Sequence, residues 1–229
     1  MRNKCLVIFS LSFIGFLYCQ NDNLNVIDTK YKEDQFYTGI TYNSLYNEPS
    51  GFLERSFSLG FNFGVIKDIP FNTSRNFGMG IGLGYALNSY SSNLRIFRDT
   101  SNNISYDILE IGTFSKNRFT THLIEMPIQI RWRTSTSETY DFWRVYTGVR
   151  LGYVFSKKAL YEGDLGRSNL RKNEHLNNFQ YGLSLSAGYS TWNIYAYYAL
   201  HPIFSNEAKF EESPIDLRFI RIGLIFYIL

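Results

Sequence analysis

Strict period-two alternation constrains this chain more than anything else in it. In Ser56 to Ile66 (SFSLGFNFGVI), Phe57, Leu59, Phe61, Phe63 and Val65 share one parity, and Ser56, Ser58, Gly60, Asn62 and Gly64 the other. In Asn76 to Asn88 (NFGMGIGLGYALN), Phe77, Met79, Ile81, Leu83, Tyr85 and Leu87 oppose Gly78, Gly80, Gly82, Gly84, Ala86 and Asn88. Phe179 to Ser190 repeats the pattern, with Phe179, Tyr181, Leu183, Leu185, Ala187 and Tyr189 against Gln180, Gly182, Ser184, Ser186, Gly188 and Ser190. Successive side chains of a strand point to opposite faces, and no helical stripe at i, i+3, i+4 competes. Each run therefore reads as a long two-faced strand.

Weaker copies fill the rest. Gln35 to Ser44 carries Phe36, Ile40 and Tyr42 on one face. His122 to Arg133 sets Ile124, Met126, Ile128, Ile130 and Trp132 against Glu125, Gln129, Arg131 and Arg133. Trp143 to Phe155 sets Val145, Val149, Leu151, Tyr153 and Phe155 against Arg144, Tyr146, Gly148, Arg150 and Gly152. Trp192 to His201 and Leu217 to Leu229 complete a set of eight, the last apolar on both faces. The predicted connections alternate in length. Lys67 to Arg75, Thr134 to Asp141 and the turn at Thr191 are short, whereas long polar stretches follow Asn88, Phe155 and His201. Short turns at one end and long loops at the other characterise an outer-membrane barrel, whose strands need about 9–11 residues to cross.

Composition decides between that barrel and a soluble one. Aromatics make up 18% and charged residues 19% of the chain. A lipocalin-like barrel or a β-sandwich buries its apolar face and wets the other. Here the apolar face is large and aromatic, while the opposite face is mainly Gly and Ser. The expectation is all-β: an eight-stranded antiparallel transmembrane β-barrel with short periplasmic turns and longer extracellular loops. Phe57, Tyr85, Trp132, Trp143, Phe155, Phe179, Tyr189 and Trp192 supply aromatic girdles at its two interfaces.

The N-terminus, MRNKCLVIFSLSFIGFLYCQ, has a basic start at Arg2 and Lys4, then an apolar run from Leu6 to Leu17. That run is short for a spanning helix and reads as a secretory signal peptide. The expected division is 1–19 signal peptide, 20–34 periplasmic lead-in and 35–229 barrel domain. Lipidation at Cys19 competes with simple cleavage after it, against the bulky Tyr18. The only cysteines are Cys5 and Cys19, so no disulfide is expected in the processed chain. Losing Arg2 and Lys4 takes the formal charge from +3 to +1, which gives no argument for nucleic-acid binding.

Three segments carry a family resemblance. HLIEMPIQIRW (His122 to Trp132) resembles the Leu-Glu-x-Pro strand of the PorT-like outer-membrane β-barrel proteins of Bacteroidetes. YTGVRLGYVF (Tyr146 to Phe155) is similar to the Gly-x-x-x-Gly-Tyr strand that follows it there, and FQYGLSLSAGYS to the next. The resemblance runs from about Phe36 to Leu229. It implies a porin-like barrel domain without catalytic residues, and a link to type IX protein secretion for the member that gives the family its name. One departure is the ending FYIL, since outer-membrane strands commonly end in Phe.

The inward-facing set includes Glu125, Arg131, Arg133, Arg144, Arg150 and Arg221. Eight strands enclose a space just wide enough for side chains to fill. The expected arrangement is a structural charge network in which Glu125 neutralises arginines such as Arg150; an anion passage is the competing one. Gly78, Gly80, Gly82 and Gly84 form the lumen face of the third strand, opposite bulky side chains such as Arg131 or Glu125.

Among the histidines, His201 begins HPIFSNEA, but Ser205 lies four residues on, too far in an extended chain for the His-x-Ser arrangement of a lipid A deacylase. His122 and His175 lack a second ligand at metal spacing, so no metal, cofactor or catalytic residue is expected. The expected partners are outer-membrane lipid and lipopolysaccharide, for instance at Lys157 to Asn178, and other envelope or secretion-system proteins. The functional expectation is a non-enzymatic barrel with a structural or assembly role, accessory to type IX secretion. A small porin-like channel or transporter is the alternative, and an enzyme acting on lipid A comes third.

Overall fold

The structure, a computed structural model, describes residues 34–134 and 142–228. The expected 1–19 signal peptide with Cys19, most of the expected 20–34 lead-in, Leu229 and most of the turn expected at Thr134 to Asp141 lie outside the described residues. Eight strands form a closed ring: β1 (Gln35–Tyr46), β2 (Leu59–Pro70), β3 (Phe77–Ser91), β4 (Phe114–Arg133), β5 (Trp143–Gly163), β6 (Phe179–Tyr189), β7 (Trp192–Ala199) and β8 (Arg218–Ile228). Each pairs antiparallel with its chain neighbours, and β1 pairs with β8 from Phe36↔Ile228 to Tyr46↔Arg218. Closure leaves no strand edge, which hydrocarbon would not tolerate because it offers no hydrogen bonds to an open backbone.

The alternation of sequence becomes an alternation of burial. Along β4, Leu123, Glu125, Gln129, Arg131 and Arg133 are buried, while Ile124, Met126, Ile130 and Trp132 are exposed. The exposed side is an apolar wall, including Ile40, Phe63, Leu83, Leu183, Ile194 and Ile222. At 45° of tilt, Trp143 to Tyr153 rises about 23 Å, close to the apolar height of about 25 Å for such barrels. Paired aromatics rim it at the short-turn end: Trp143 lies 5.4 Å from Tyr189 and Trp192 4.9 Å from Phe226, centroid to centroid.

Several expected boundaries are corrected. β2 begins at Leu59, not Ser56, because Ser56 takes a left-handed φ of 65° that breaks the extended run. It continues to Pro70, so the turn into β3 spans only residues 71–76. β4 begins at Phe114 and β5 ends at Gly163, eight residues beyond His122 and Phe155 respectively. Two effects hid these extensions. Above the apolar wall the outward residues of β4 are Lys116, Arg118 and Thr120, so the two-faced signature is lost. A β-bulge where His122↔Ser156 gives way to Leu123↔Val154 also inverts the parity of β5, so that Tyr161 is buried beyond it. β8, apolar on both faces in sequence, takes its register from Arg221↔Asn43 and buries Phe219, Arg221, Ile225 and Tyr227.

The long loops are not simply the polar stretches expected. Residues 92–113 contain a hairpin, Leu94–Arg98 with Ile104–Ile108; Gly166–Leu170 adds a short strand to β5; and Lys209–Phe210 pairs with Ser213–Pro214. Phe52, Leu94, Ile96, Leu176, Ile203, Phe204, Ile215 and Leu217 are buried together over the mouth of the barrel. Asn93 ties two loops, accepting from Leu53 N at 2.8 Å and donating to Gly51 O at 2.9 Å. Asn177 ties the other two, donating to Pro202 O at 3.0 Å and Phe204 O at 2.8 Å. Every long loop thus contributes to one apolar cap.

Candidate functional site

Above the short-turn end the interior holds two ionic layers. In the first, Arg131 Nη1 donates to Asp68 Oδ1 at 2.9 Å. Arg133 grips the same carboxylate with both arms, Nη1 to Oδ1 at 3.0 Å and Nη2 to Oδ2 at 2.7 Å. Arg131 also donates to Gln35 Oε1, and Arg133 Nε to the Arg75 carbonyl at 2.9 Å. In the second layer, Arg150 Nη1 donates to Glu125 Oε2 at 2.8 Å and Arg221 Nη1 to Glu125 Oε1 at 3.1 Å. Glu125, Arg131, Arg133, Arg150 and Arg221 are each at most 1% exposed. Charges so deep persist only when paired and hydrogen-bonded.

Among the described residues, five buried guanidiniums (Arg131, Arg133, Arg144, Arg150, Arg221) face two buried carboxylates (Asp68, Glu125). Aromatic faces make up part of the difference. Arg131 lies 4.2 Å from the Tyr146 ring centroid, Arg221 4.0 Å from Tyr197, and Arg150 5.3 and 5.2 Å from Tyr37 and Tyr195. Arg144 sits 4.4 Å from Phe142 and within 6 Å of Tyr146 and Tyr227, with no carboxylate at ion-pair distance among the described residues. The structure therefore joins Glu125 to Arg150 and Arg221, joins Arg131 to Arg133 through Asp68, and leaves Arg144 in an aromatic cage.

The glycines of β3 make this filling possible. Gly78 pairs with Arg131 and Gly84 with Glu125 across the β3–β4 ladder. A Cβ at Gly80 would stand 2.8 Å from Arg131 Cδ, and one at Gly84 would strike the Tyr37 phenol. Gly82 faces Pro127, where the ladder is interrupted because proline has no N–H to donate.

Sequence reasoning missed Asp68, which it assigned to a turn, and the inward tyrosines Tyr37, Tyr195, Tyr197 and Tyr227. Parity alone could have found them. Asp68 continues the even-numbered inward face of β2, and the tyrosines occupy the inward positions of β1, β7 and β8. Above the second layer, Tyr90 stacks 4.6 Å from Phe119 and lies 5.8 Å from Phe219, and these rings support the cap through Phe204.

The histidines sit elsewhere. His122 hydrogen-bonds Tyr85 Oη at 2.6 Å on the outer wall, and His201 packs 5.2 Å from Tyr181. Ser205 is held through its backbone N–H by the His175 carbonyl at 2.7 Å. Among the described residues no three His, Cys, Asp or Glu side chains converge as a metal site. In the tract Lys157 to Asn178, Lys157 points inward and donates to the Asn173 carbonyl at 3.2 Å and to Leu176 O.

A family model described as an outer membrane protein beta-barrel domain matches residues 19–205. No curated protein matches the chain. Two solved structures of Ail, the attachment invasion locus protein of Yersinia pestis, are similar to it. The one in complex with the heparin analogue sucrose octasulfate is 14% identical, with a TM-score of 0.36, over 86% of this chain and 97% of that one. The other is 13% identical, with a TM-score of 0.34 and the same coverage.

Proposed function

The chain belongs to the outer-membrane protein β-barrel domain family, and on that footing we propose that it is a non-enzymatic structural or assembly factor of the outer membrane with a closed interior. The observation that carries this reading is the occupied lumen: two ionic layers, an aromatic layer and an apolar cap succeed one another along the axis. A conducting pore needs a continuous wet path, whereas Arg131, Arg133, Arg150 and Arg221 are at most 1% exposed. The 1–19 signal peptide and 20–34 lead-in belong to the same proposal, as does the structural role of the lumen charges. Service to type IX secretion as an accessory rests on the resemblance of His122 to Trp132 and Tyr146 to Phe155 to PorT-like proteins.

Two experiments test the proposal. Reconstituted in planar bilayers, the barrel is expected to give no stable open-channel current, and a steady conductance would overturn the closed interior. Deletion, combined with cross-linking in the native membrane, tests the secretion role. Intact secretion together with no captured secretion component would remove it.

A further inference from the structure

Where the outer wall of β4 leaves its apolar band, two neighbouring concavities share one arginine. The upper, of about 270 Å³, is polar and basic, lined by Arg55, Lys116 and Arg118 with Ser56, Ser91 and Ser115. The lower, of about 380 Å³, is apolar, lined by Ile40, Leu59, Phe61 and Leu87, with Arg118 and Thr120 at its rim. Both lie at the long-loop end. The lower one opens on the lipid-facing wall, where Ile40, Leu59 and Phe61 are exposed.

The cations are positioned from below. Arg118 Nε donates to Ser91 Oγ at 3.2 Å. Arg55 donates through Nη1 to the Phe114 carbonyl at 3.3 Å, its guanidinium 5.0 Å from the Phe114 ring, and its backbone N–H bonds Ser91 O at 2.9 Å. Neither concavity is lined by a carboxylate. Glu162 is paired with Lys116 in the β4–β5 ladder, yet among the described residues none of the three cations has a carboxylate at ion-pair distance.

We propose that these two concavities form one site for a phosphorylated, acylated lipid of the outer leaflet, its phosphate between Arg55, Lys116 and Arg118 and an acyl chain in the groove of Ile40, Leu59, Phe61 and Leu87. Three arguments select this occupant. Clustered guanidiniums and an ammonium suit phosphate oxygens, which accept charge-assisted hydrogen bonds. The apolar groove lies on the lipid-facing wall and continues from the basic pocket through Arg118, so one amphipathic molecule can fill both. Its height, at the end opposite both termini of an even-stranded barrel, is that of outer-leaflet headgroups. The site depends on the outer-membrane location and not on any role in secretion.

Native mass spectrometry of the detergent-purified full chain, titrated with purified lipid A, tests it. Phosphatidylethanolamine and inorganic phosphate serve as comparison probes. The wild type is expected to bind one lipid A at least 10-fold tighter than phosphatidylethanolamine. The triple variant Arg55→Ala/Lys116→Ala/Arg118→Gln is expected to lose that preference, and Phe61→Ala to weaken lipid A about threefold. Unheated SDS electrophoresis checks that each variant is folded; should the triple variant fail to fold, Arg118→Gln alone must weaken lipid A at least threefold. Wild-type affinity in the folded variants would overturn the proposal. So would displacement of lipid A by millimolar inorganic phosphate, which would mark a bare anion pocket.

Discussion

Glu125 holds the upper ionic layer together, because two buried arginines share its carboxylate. Removing one partner of a buried ion pair costs about 3–5 kcal/mol, since the other charge stays desolvated and unpaired. Glu125→Gln is therefore expected to lower the unfolding free energy of the vesicle-reconstituted barrel by that much, read from urea titration. Adding Arg150→Met should recover part of the loss; no recovery would show that Glu125 acts independently of Arg150. At Gly84 the constraint is volume. A Leu there competes with the Tyr37 phenol and with the Phe63 carbonyl, 2.6 Å from the added Cβ. Gly84→Leu is expected to reduce the heat-modifiable compact species at least 10-fold on unheated gels, and near-wild-type yield would contradict the packing described.

The eight barrel strands were legible as elements because lipid demands apolar residues on one parity, and a narrow lumen accepts Gly, Ser and arginine on the other. Their outer ends were not. β4 and β5 continue past the lipid, where water accepts polar residues on the outer face, and the bulge near His122 shifts the parity on which recognition depends. The loops read as polar stretches because their charges are many; what pins them is a few apolar side chains and two asparagines, Asn93 and Asn177. Asn177→Ala removes the donor to Pro202 O and Phe204 O, and the loss at the carbonyl of the buried Phe204 costs about 1–3 kcal/mol. Limited proteolysis should then cut within residues 164–178 at least 10-fold faster, with the barrel core still resistant. Unchanged cleavage would mean that the cap does not depend on this staple.

Closure is a property of the whole ring, and it joins the two ends of the chain. Thr38 and Phe226 are Cα partners across the β1–β8 seam. Directly opposed antiparallel residues lie about 4.5–5.5 Å apart, within disulfide reach. With the only native cysteines at positions 5 and 19, Thr38→Cys/Phe226→Cys is expected to cross-link on oxidation in the folded state. The readout is a mobility shift reversed by reductant. Failure to cross-link in a folded, heat-modifiable sample would contradict the seam.

Period two, strand length and the apolar parity were enough to specify an eight-stranded membrane barrel, because each follows from local geometry and the solvent that each face meets. They were also enough to place Glu125, Arg131, Arg133, Arg144, Arg150 and Arg221 inside. Which of these meet is set by register and curvature around the ring. Arg221 reaches Glu125 from β8, ninety-six residues away in sequence, and Asp68 clamps Arg131 and Arg133 because β2 runs on to Pro70. The cap and the paired concavities beside Arg118 likewise exist only once distant segments are folded together. A pattern along one strand encodes which face a residue takes, but not which side chain it will find across the lumen.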